Sequence, residues 1–387
     1  MGLGKTFVST EKMVSLNANI NVIVCQKSKI EDWVDHIKEF YPVYEVISYK
    51  NQLLTDIEKP TVIVINYDLI WRRDEFNKLK DFTLILDESS YIKNETSKRS
   101  KFIMKLNFKN IIMLSGTPVA GKYEELYSQI KLLGWKITKK SFWETYILYR
   151  EIDINGFPQK MVYGYKNIDR LKRKLREHGA VFMKSEDVLE LPDQVHTIEK
   201  VKNTADYKKF KKDRVLIKDD LELIGDTTLT KMLYLRQLAS MYNKNKLSRL
   251  KALLEATEDR VIIFYNFKYE YEIISELCEE LKRPISIING DKRNLDNYYN
   301  KDNTVILCQY QAAAMGINLQ KCNKIIYFSL TLSSELFEQS KKRTHRIGQN
   351  RSCFYWYLTT ENSIDEDIYK TLLERKDYTD KLFEESE

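Results

Sequence analysis

Short runs of apolar residues recur along the first half of the chain, and most end directly in polar residues. The runs are NVIVC at 21–25, TVIVI at 61–65, FTLIL at 82–86 and NIIML at 110–114. Runs that are apolar throughout are typical of strands buried on both faces of a parallel sheet. Because helix-compatible stretches separate the runs, the pattern predicts a doubly wound α/β lobe with polar turns at one sheet edge.

A second series of apolar runs follows later in the chain, at 260–265, 285–288, 304–308, 324–328 and 353–358. Between the two series, residues 141–184 are rich in aromatic and basic side chains, and 202–254 are lysine-rich with helical periodicity. The predicted fold class is therefore α/β, with two tandem lobes that each contain a parallel sheet. We expect lobe 1 at 1–195, with a helical and basic protrusion at about 141–190, and lobe 2 at 196–387, with linker helices and a C-terminal helix.

Composition agrees with two globular lobes. Of the 387 residues, 43% are hydrophobic and 31% charged, and no apolar run approaches the ~18 residues of a membrane span. With no targeting signal visible, we expect a cytoplasmic protein without a membrane partner. The net charge of +7 is compatible with a basic cleft but too small to establish nucleic-acid binding. The five cysteines lie far apart and suit reduced core thiols better than a disulfide or zinc framework.

The first residues of the chain resemble the end of a phosphate-binding loop. They read MGLGKT, with Gly2, Gly4, Lys5 and Thr6 in the positions that contact a nucleotide. Glycines let backbone amides wrap the phosphates, Lys5 supplies a cation to the β- and γ-phosphates, and the Thr6 hydroxyl binds magnesium. ATP and Mg²⁺ are therefore the expected cofactors.

Two acidic residues follow the third apolar run and complete this site. Asp87 and Glu88 stand where the carboxyl end of a buried strand meets the sheet edge at which nucleotides bind. Asp87 is expected to hold magnesium through water, and Glu88 to orient or deprotonate the attacking water.

A basic segment in the second half offers further candidates. Residues 339–349 read QSKKRTHRIGQ, in which Arg343 and Arg346 are three apart and would share one face of a helix. Arginines that a second lobe presents to a phosphate site act as arginine fingers, which stabilise transition-state charge. A solvated basic face is the alternative interpretation.

Taken in order, these motifs resemble the Swi/Snf-type (sucrose-nonfermenting) DNA translocases of helicase superfamily two. The resemblance rests on GLGKT at 2–6, DESSYIKN at 87–94, LSGTPV at 114–119, FYNF at 264–267, AAAMGINLQ at 312–320 and the ending HRIGQ at 345–349. The compact spacing is similar to that of the small bacterial or phage members. The resemblance implies two RecA-like lobes that hydrolyse ATP between them and track along double-stranded DNA.

The resemblance also assigns roles to individual residues. Ser115 and Thr117 would couple the ATP state to lobe movement, while Gly316 and Asn318 would line the nucleotide cleft between the lobes. Gln339, Arg343 and Arg346 would complete that cleft. By position, the candidate DNA contacts are Lys27, Ser28, Asn66, Tyr67, Asn266, Gln309, Tyr310 and Gln311.

The chain departs from the family pattern at its start. A full loop reads G-x-x-x-x-G-K-T, and counting back from Gly4 places its first glycine two residues before Met1. We therefore expect lobe 1 to be incomplete at its N-terminus. The true start lies upstream, the product is a fragment, or another element fills the position.

These observations predict an ATP-dependent motor on double-stranded DNA, with DNA-dependent ATPase activity. Two alternatives stay open: a non-hydrolysing nucleic-acid-binding regulator derived from such a motor, and a helicase that acts on single strands. Protein partners from replication or recombination are conceivable, but the sequence identifies none.

Overall fold

The computed structural model describes residues 4–49, 57–116, 121–154, 156–183, 188–218, 221–313 and 317–383. The chain divides into two compact units, Met1–Val188 together with Lys376–Glu387, and Leu189–Arg375. The division thus falls shortly before the boundary expected at 195, and the last residues group with the first unit rather than with the second.

The first unit is built on a five-stranded parallel sheet. Its strands are β1 (Ile20–Cys25), β2 (Glu45–Ser48), β3 (Thr61–Asn66), β4 (Lys80–Asp87) and β5 (Asn107–Leu114), in the spatial order β2-β3-β1-β4-β5. Four of them confirm the apolar runs. The sequence analysis missed β2, whose residues are only partly buried at the sheet edge. In register, Cys25 lies opposite Asn66 and Asp87 opposite Leu114, so the carboxyl ends of four strands share one edge.

Helices cover both faces of this sheet. They are α1 (Lys5–Leu16), α2 (Ile30–Phe40), α3 (Tyr67–Ile70), α4 (Lys98–Ile103) and α5 (Tyr127–Leu132). Met13, Trp33 and Ile37 pack in the core on one face, and Tyr67 and Ile70 pack in the core on the other. A sheet buried on both faces explains why its strands are apolar throughout.

The protrusion differs from the all-helical prediction for 141–190. It consists of α6 (Lys139–Tyr146), an antiparallel pair of strands β6 (Ile147–Ile154) and β7 (Phe157–Tyr165), and α7 (Ile168–Glu177). The helical prediction is wrong over the two strands because their β-branched and aromatic residues favour extended backbone. Gly156 there adopts φ 80°, and its amide donates a hydrogen bond to Asp153 Oδ1. A left-handed backbone of this kind suits glycine.

The second unit holds a seven-stranded sheet. Its strands are β8 (Gln194–Val201), β11 (Val261–Tyr265), β12 (Ile285–Ile288), β13 (Arg293–Asn294), β14 (Val305–Gln309), β15 (Lys324–Tyr327) and β16 (Cys353–Thr360), in the order β13-β12-β14-β11-β15-β16-β8. All neighbours are parallel except β12 and β13. The five predicted strands are confirmed. The sequence analysis missed the edge strand β8 and the short antiparallel pair β9 (Val215–Lys218) and β10 (Leu221–Ile224), which interrupts the expected linker helices.

Within the described residues, eight helices begin in the second unit. They are α8 (Ala205–Asp213), α9 (Thr228–Ala239), α10 (Lys244–Glu255), α11 (Lys268–Glu280), α12 (Asp296–Asn300), α13 (Tyr310–Ala313), α14 (Ser334–Lys341) and α15 (Ile364–Phe383). A buried ion pair between Lys246 of α10 and Asp365 of α15, 2.7 Å apart, joins two of them. Among the helices described, none has both the length and the apolar character that crossing a membrane requires.

Candidate nucleotide-binding site

Two adjacent acidic residues end the central strand β4 of the first unit. Asp87 is its last residue, and Glu88 follows with φ 58°, in the left-handed region that a glutamate rarely adopts. Backbone strain of this kind persists where surrounding contacts hold it, and it is common at functional sites.

Glu88 lies at the centre of a small polar network. Its Oε2 is 3.7 Å from the Lys5 ammonium nitrogen, and its Oε1 accepts hydrogen bonds from the Ser115 hydroxyl at 3.2 Å and the Gly116 amide at 3.3 Å. The fold thus brings together Lys5, Glu88 and Ser115, three residues singled out by sequence. The remaining coupling candidate, Thr117, lies outside the described residues.

Asp87 has different partners. The indole Nε1 of Trp33 donates a hydrogen bond to Asp87 Oδ2 at 2.9 Å, and the hydroxyl of Tyr67 donates one to the Asp87 main-chain oxygen at 3.0 Å. Burial raises the pKa of Asp87, while the bond from Trp33 and the attraction of Lys5 act in the opposite direction. A cation bound beside this carboxylate would favour its ionised form.

The N-terminus of α1 supplies the positive side of the site. The helix begins at Lys5 after Gly4, which has φ 67°, and no side chain caps it within the described chain. Uncapped amides at a helix N-terminus, together with the helix dipole, favour a bound anion. Thr6 lies half-buried in the first turn. Gly2 falls outside the described residues.

The donor set of this site fits magnesium. Asp87 offers a carboxylate and Thr6 a hydroxyl, both of which are the hard oxygen ligands that Mg²⁺ prefers when substrate phosphates complete its coordination. Within the described chain, no cluster of three or more His, Cys, Asp or Glu residues could hold a metal by itself.

The two arginine candidates in the second unit occupy turns rather than a helix. Helix α14 ends at Lys341, so the prediction that Arg343 and Arg346 share a helical face is wrong. Arg343 is buried, and its main-chain oxygen accepts a hydrogen bond from the Leu319 amide at 3.0 Å. Arg346 is half-buried and donates a hydrogen bond to Asn318 Oδ1. The structure therefore brings 318–319 and 343–346 together.

The two remaining candidates for the nucleotide cleft are Gln339 and Gly316. Gln339 is buried, and its amide nitrogen lies 3.4 Å from Glu335 Oε1. Gly316 lies outside the described residues.

The ends of the HRIGQ segment have structural partners. His345 Nε2 hydrogen-bonds to the Pro192 carbonyl at 2.8 Å. The Gln349 amide donates to the carbonyls of Gln320 and Cys322, each at 3.0 Å. These contacts fix the loops on either side of the arginines, so this part of the motif is needed for geometry.

Three candidate DNA contacts remain accessible. Lys27 and Ser28 are exposed on the turn after β1, and Gln311 is exposed on α13. Tyr67 and Tyr310 are only 1% and 3% exposed, which contradicts their prediction as DNA contacts. Positions after strand ends predict accessible side chains, whereas both tyrosines pack into the core.

The amide side chains among the DNA candidates have partners within the protein. Asn66 Oδ1 accepts from the Asp68 and Leu69 amides and so caps α3. Asn266 donates to the Ser329 hydroxyl at 2.8 Å, and Gln309 Oε1 accepts from the Gly290 amide at 3.3 Å. These residues shape the strand ends.

Sequence reasoning missed Trp33. It is 3% exposed and packs in the core, while its N–H donates to Asp87. Its position on an apolar helix face signals only core packing. Buried tryptophans usually find a hydrogen-bond acceptor, and that rule is the one signal that could have suggested this contact.

Comparison with known families decides the relationship. The profile of the SNF2-related domain matches residues 1–253. The chain belongs to the SNF2-related family. The helicase conserved C-terminal domain matches residues 245–348, in the second unit. The two α/β units of this SNF2-related chain are thus the two RecA-like lobes of the family, and the resemblance inferred from the motifs is confirmed.

Curated relatives and a solved structure match the chain at low sequence identity. A "SWI/SNF-related matrix-associated actin-dependent regulator of chromatin subfamily A-like protein 1" from Drosophila melanogaster is 26% identical over 99% of this chain and 52% of its own length. A "Chromodomain-helicase-DNA-binding protein 1-like" from Mus musculus is 21% identical over 99% of this chain and 47% of its own. The SNF2-related chain therefore spans about half the length of these relatives. The solved "SWI2/SNF2 ATPase core in complex with dsDNA" from Sulfolobus solfataricus is 20% identical, covers 98% of this chain and 86% of that one, and has a TM-score of 0.43.

Proposed function

We propose that this SNF2-related chain is an ATP-hydrolysing motor that moves along double-stranded DNA. The observation that carries the proposal is the network in which Glu88 contacts Lys5, Ser115 and the Gly116 amide. Family membership supports ATP hydrolysis, and the names of the curated relatives, which refer to chromatin regulation and DNA binding, support DNA as the track.

The residues of the first unit divide the chemistry between them. Lys5 and the amides of the first turn of α1 bind the phosphates, which requires Lys5 to leave Glu88. Glu88 is then free to orient the attacking water or accept its proton. Asp87 and Thr6 would hold magnesium, which when bound would neutralise charge on the phosphate oxygens.

Ser115 and Gly116 give this unit a means of sensing the nucleotide. They follow β5 and donate directly to Glu88. When Glu88 leaves Lys5 and contacts the water beside a bound phosphate, Ser115 and Gly116 must either move with the Glu88 carboxylate or lose their hydrogen bonds to it. The segment after β5 therefore changes with the nucleotide state.

The proposal is tested by ATP hydrolysis with and without duplex DNA. Stimulation by DNA is expected, and Glu88→Gln should lower turnover by about 10²–10⁴-fold, the usual contribution of a positioned base. Absence of DNA-stimulated turnover would overturn the proposal.

Movement along the duplex needs its own measurement. A third strand bound to a duplex should be displaced in an ATP-dependent manner, while the duplex itself stays paired. Separation of the duplex strands would instead identify a helicase, and DNA binding without turnover would identify a regulator.

A further inference from the structure

The β6–β7 hairpin of the first unit has one packed side and one open side. On the packed side, Tyr149 and Val162 lie against the protrusion core, and the Lys160 ammonium lies 4.4 Å from the centroid of the Tyr149 ring. Successive side chains of a strand point to opposite faces. The other side therefore holds the residues that alternate with these, and we call it the open hairpin face: Arg150, Ile152, Phe157, Gln159 and Met161.

The apolar side chains of the open hairpin face are accessible. Phe157 is 69% exposed and Met161 44% exposed, while Ile152 is half-buried. Tyr163, two residues further along β7, is 62% exposed. Within the described residues the hairpin forms a sheet of only two strands, and such a sheet gains stability when its apolar surface is covered. Exposed apolar residues that are grouped in this way mark an interaction site.

The hairpin lies in a strongly basic part of the chain. Residues 136–177 contain eleven Lys or Arg and five Asp or Glu, so this stretch carries +6 of the chain's net charge of +7. On the open hairpin face, Arg150 is exposed, and its guanidinium donates to the Met161 sulfur at 3.5 Å. A thioether is a weak acceptor, so a carboxylate would be a better partner for this guanidinium. The charge favours an acidic ligand.

The spacing of the exposed groups fits a protein ligand better than a nucleic acid. Phe157 and Tyr163 are six residues apart, which is about 20 Å along a strand. Proteins that bind single strands stack successive bases on aromatic rings, which requires rings at closer spacing. Aromatic residues, Met and Arg are instead the residues that are enriched at the centres of protein interfaces.

An α-helix matches the size of the open hairpin face. The two strands lie about 5 Å apart, and Phe157 and Met161 are about 13 Å apart along β7. A helix with its side chains is about 10–12 Å wide and covers 13 Å in about nine residues. A helix laid on this face would add the second layer that an apolar sheet face requires.

We propose that the open hairpin face docks an acidic amphipathic helix of a partner protein. The apolar stripe of that helix covers Phe157 and Met161, and an acidic residue beside the stripe pairs with Arg150. The inference does not rest on the proposed function, because docking of this kind needs neither ATP nor DNA.

Docking is tested with two designed helical peptides of about 18 residues, long enough to populate a helix in water. Both have the same leucine stripe, which glutamates flank in one peptide and lysines in the other. Binding of each fluorescent peptide to the full chain is measured by anisotropy. The glutamate peptide should bind at least about tenfold more tightly than the lysine peptide, because like charges oppose docking. Phe157→Ala/Met161→Ala should weaken its binding at least about tenfold, since it removes the central anchors.

The matched control is Tyr269→Ala/Tyr299→Ala, which removes two rings of the second unit that are 44% and 53% exposed. It should bind the glutamate peptide like the wild type. Arg150→Gln should lower the preference for glutamate over lysine several-fold. Because all these changes are at exposed or partly exposed positions, the melting temperatures should stay close to that of the wild type.

The inference would be overturned if the wild type failed to bind the glutamate peptide, or if Phe157→Ala/Met161→Ala bound it equally well. Equal weakening in the Tyr269→Ala/Tyr299→Ala control would also overturn it. A single-stranded oligonucleotide that binds the wild type but not Phe157→Ala/Met161→Ala would assign the face to nucleic acid instead. Self-association in sedimentation that the same variant abolishes would assign it to a second copy of the chain.

Discussion

At the scale of single residues, Asp87 and Glu88 are neighbours in sequence with separate surroundings. Glu88 faces a lysine and two further hydrogen-bond donors, whereas Asp87 is buried beside an indole. The left-handed backbone at Glu88 lies at the point where the two surroundings separate. Two carboxylates with distinct environments can take distinct roles in one reaction.

The role of Trp33 leads to a prediction about magnesium. Trp33→Phe keeps an aromatic ring in the core but removes the N–H that holds Asp87 Oδ2. Loss of a partner that orients a metal ligand lowers metal affinity by about 10–100-fold, so the Mg²⁺ concentration for half-maximal turnover should rise by about that factor. The pH profile of turnover should also shift upward, because that hydrogen bond lowers the pKa of Asp87.

Trp143→Phe serves as the control, since Trp143 packs in the protrusion core away from Asp87. Wild-type magnesium dependence in Trp33→Phe would contradict the positioning role.

Burial of Asp87 predicts a gain in stability at the expense of activity. Its pKa is raised in the folded chain, so its neutral form is favoured there, and its contribution to stability is present at low pH and lost as the pH rises through the folded pKa. Asp87→Asn removes the buried charge and keeps an acceptor for Trp33. The variant should melt higher than wild type at about pH 8 and lose this advantage as the pH falls through the raised pKa of Asp87.

Turnover of Asp87→Asn should fall by at least about 100-fold, because a metal ligand itself matters at least as much as its outer partners. Thermal unfolding across the pH range and ATPase assays check both parts. A lower melting temperature than wild type at about pH 8 would show that ion pairing outweighs burial at this site.

The sequence motifs alone identify Lys5, Glu88 and Ser115 as candidate residues. In the fold, Lys5 and Ser115 both contact Glu88. The motifs do not predict the burial of Tyr67 and Tyr310, because a position at a strand end does not reveal whether a tyrosine points to solvent or to the core.

At the scale of helices and strands, the sequence predicts best the strands that are buried on both faces of a sheet. Strands β1, β3, β4, β11 and β14 are nearly uniformly buried and gave clear apolar runs. Strands β7 and β8 are largely exposed or alternate in burial, and they were missed. Their pairing depends on partners elsewhere in the chain, which local pattern does not show.

The ion pair between α10 and α15 predicts how these helices are held. Lys246 and Asp365 have side chains only 0% and 4% exposed, and Asp365 also accepts from the Thr360 amide. Removing one partner leaves a buried charge, so Lys246→Met should destabilise the second unit by about 3–5 kcal/mol. The double variant Lys246→Met/Asp365→Leu should recover most of that loss.

Urea unfolding of the full chain measures both variants, and the exposed pair Lys251 and Glu280 offers a control with little expected effect. A double variant as unstable as the single one would show that Asp365 acts mainly through the Thr360 amide.

At the scale of the whole molecule, the two units can be followed separately through their cysteines. All five are buried and free, with Cys25 in the first unit and the other four in the second. Burial raises the pKa of each thiol, to about 12 for Cys278 and Cys322. Thiolate is the reactive form, so native protein should react with maleimide far more slowly than unfolded protein.

Mass spectrometry after labelling in increasing urea should assign each opening event to one unit. Rapid labelling of Cys25 without urea would show that the first unit opens more readily than its core packing suggests.

Strand β8 has a consequence for synthesis. His196 of β8 hydrogen-bonds to Tyr357 of β16, a partner 161 residues further along the chain. At roughly 5–20 residues per second, the ribosome needs about 8–30 s to supply it. Throughout that time the nascent β8 has no neighbour in its sheet, although its edge carries Val195 and Ile198. We expect chaperones to meet this segment first, and synonymous codons between the two strands to influence how much protein folds correctly.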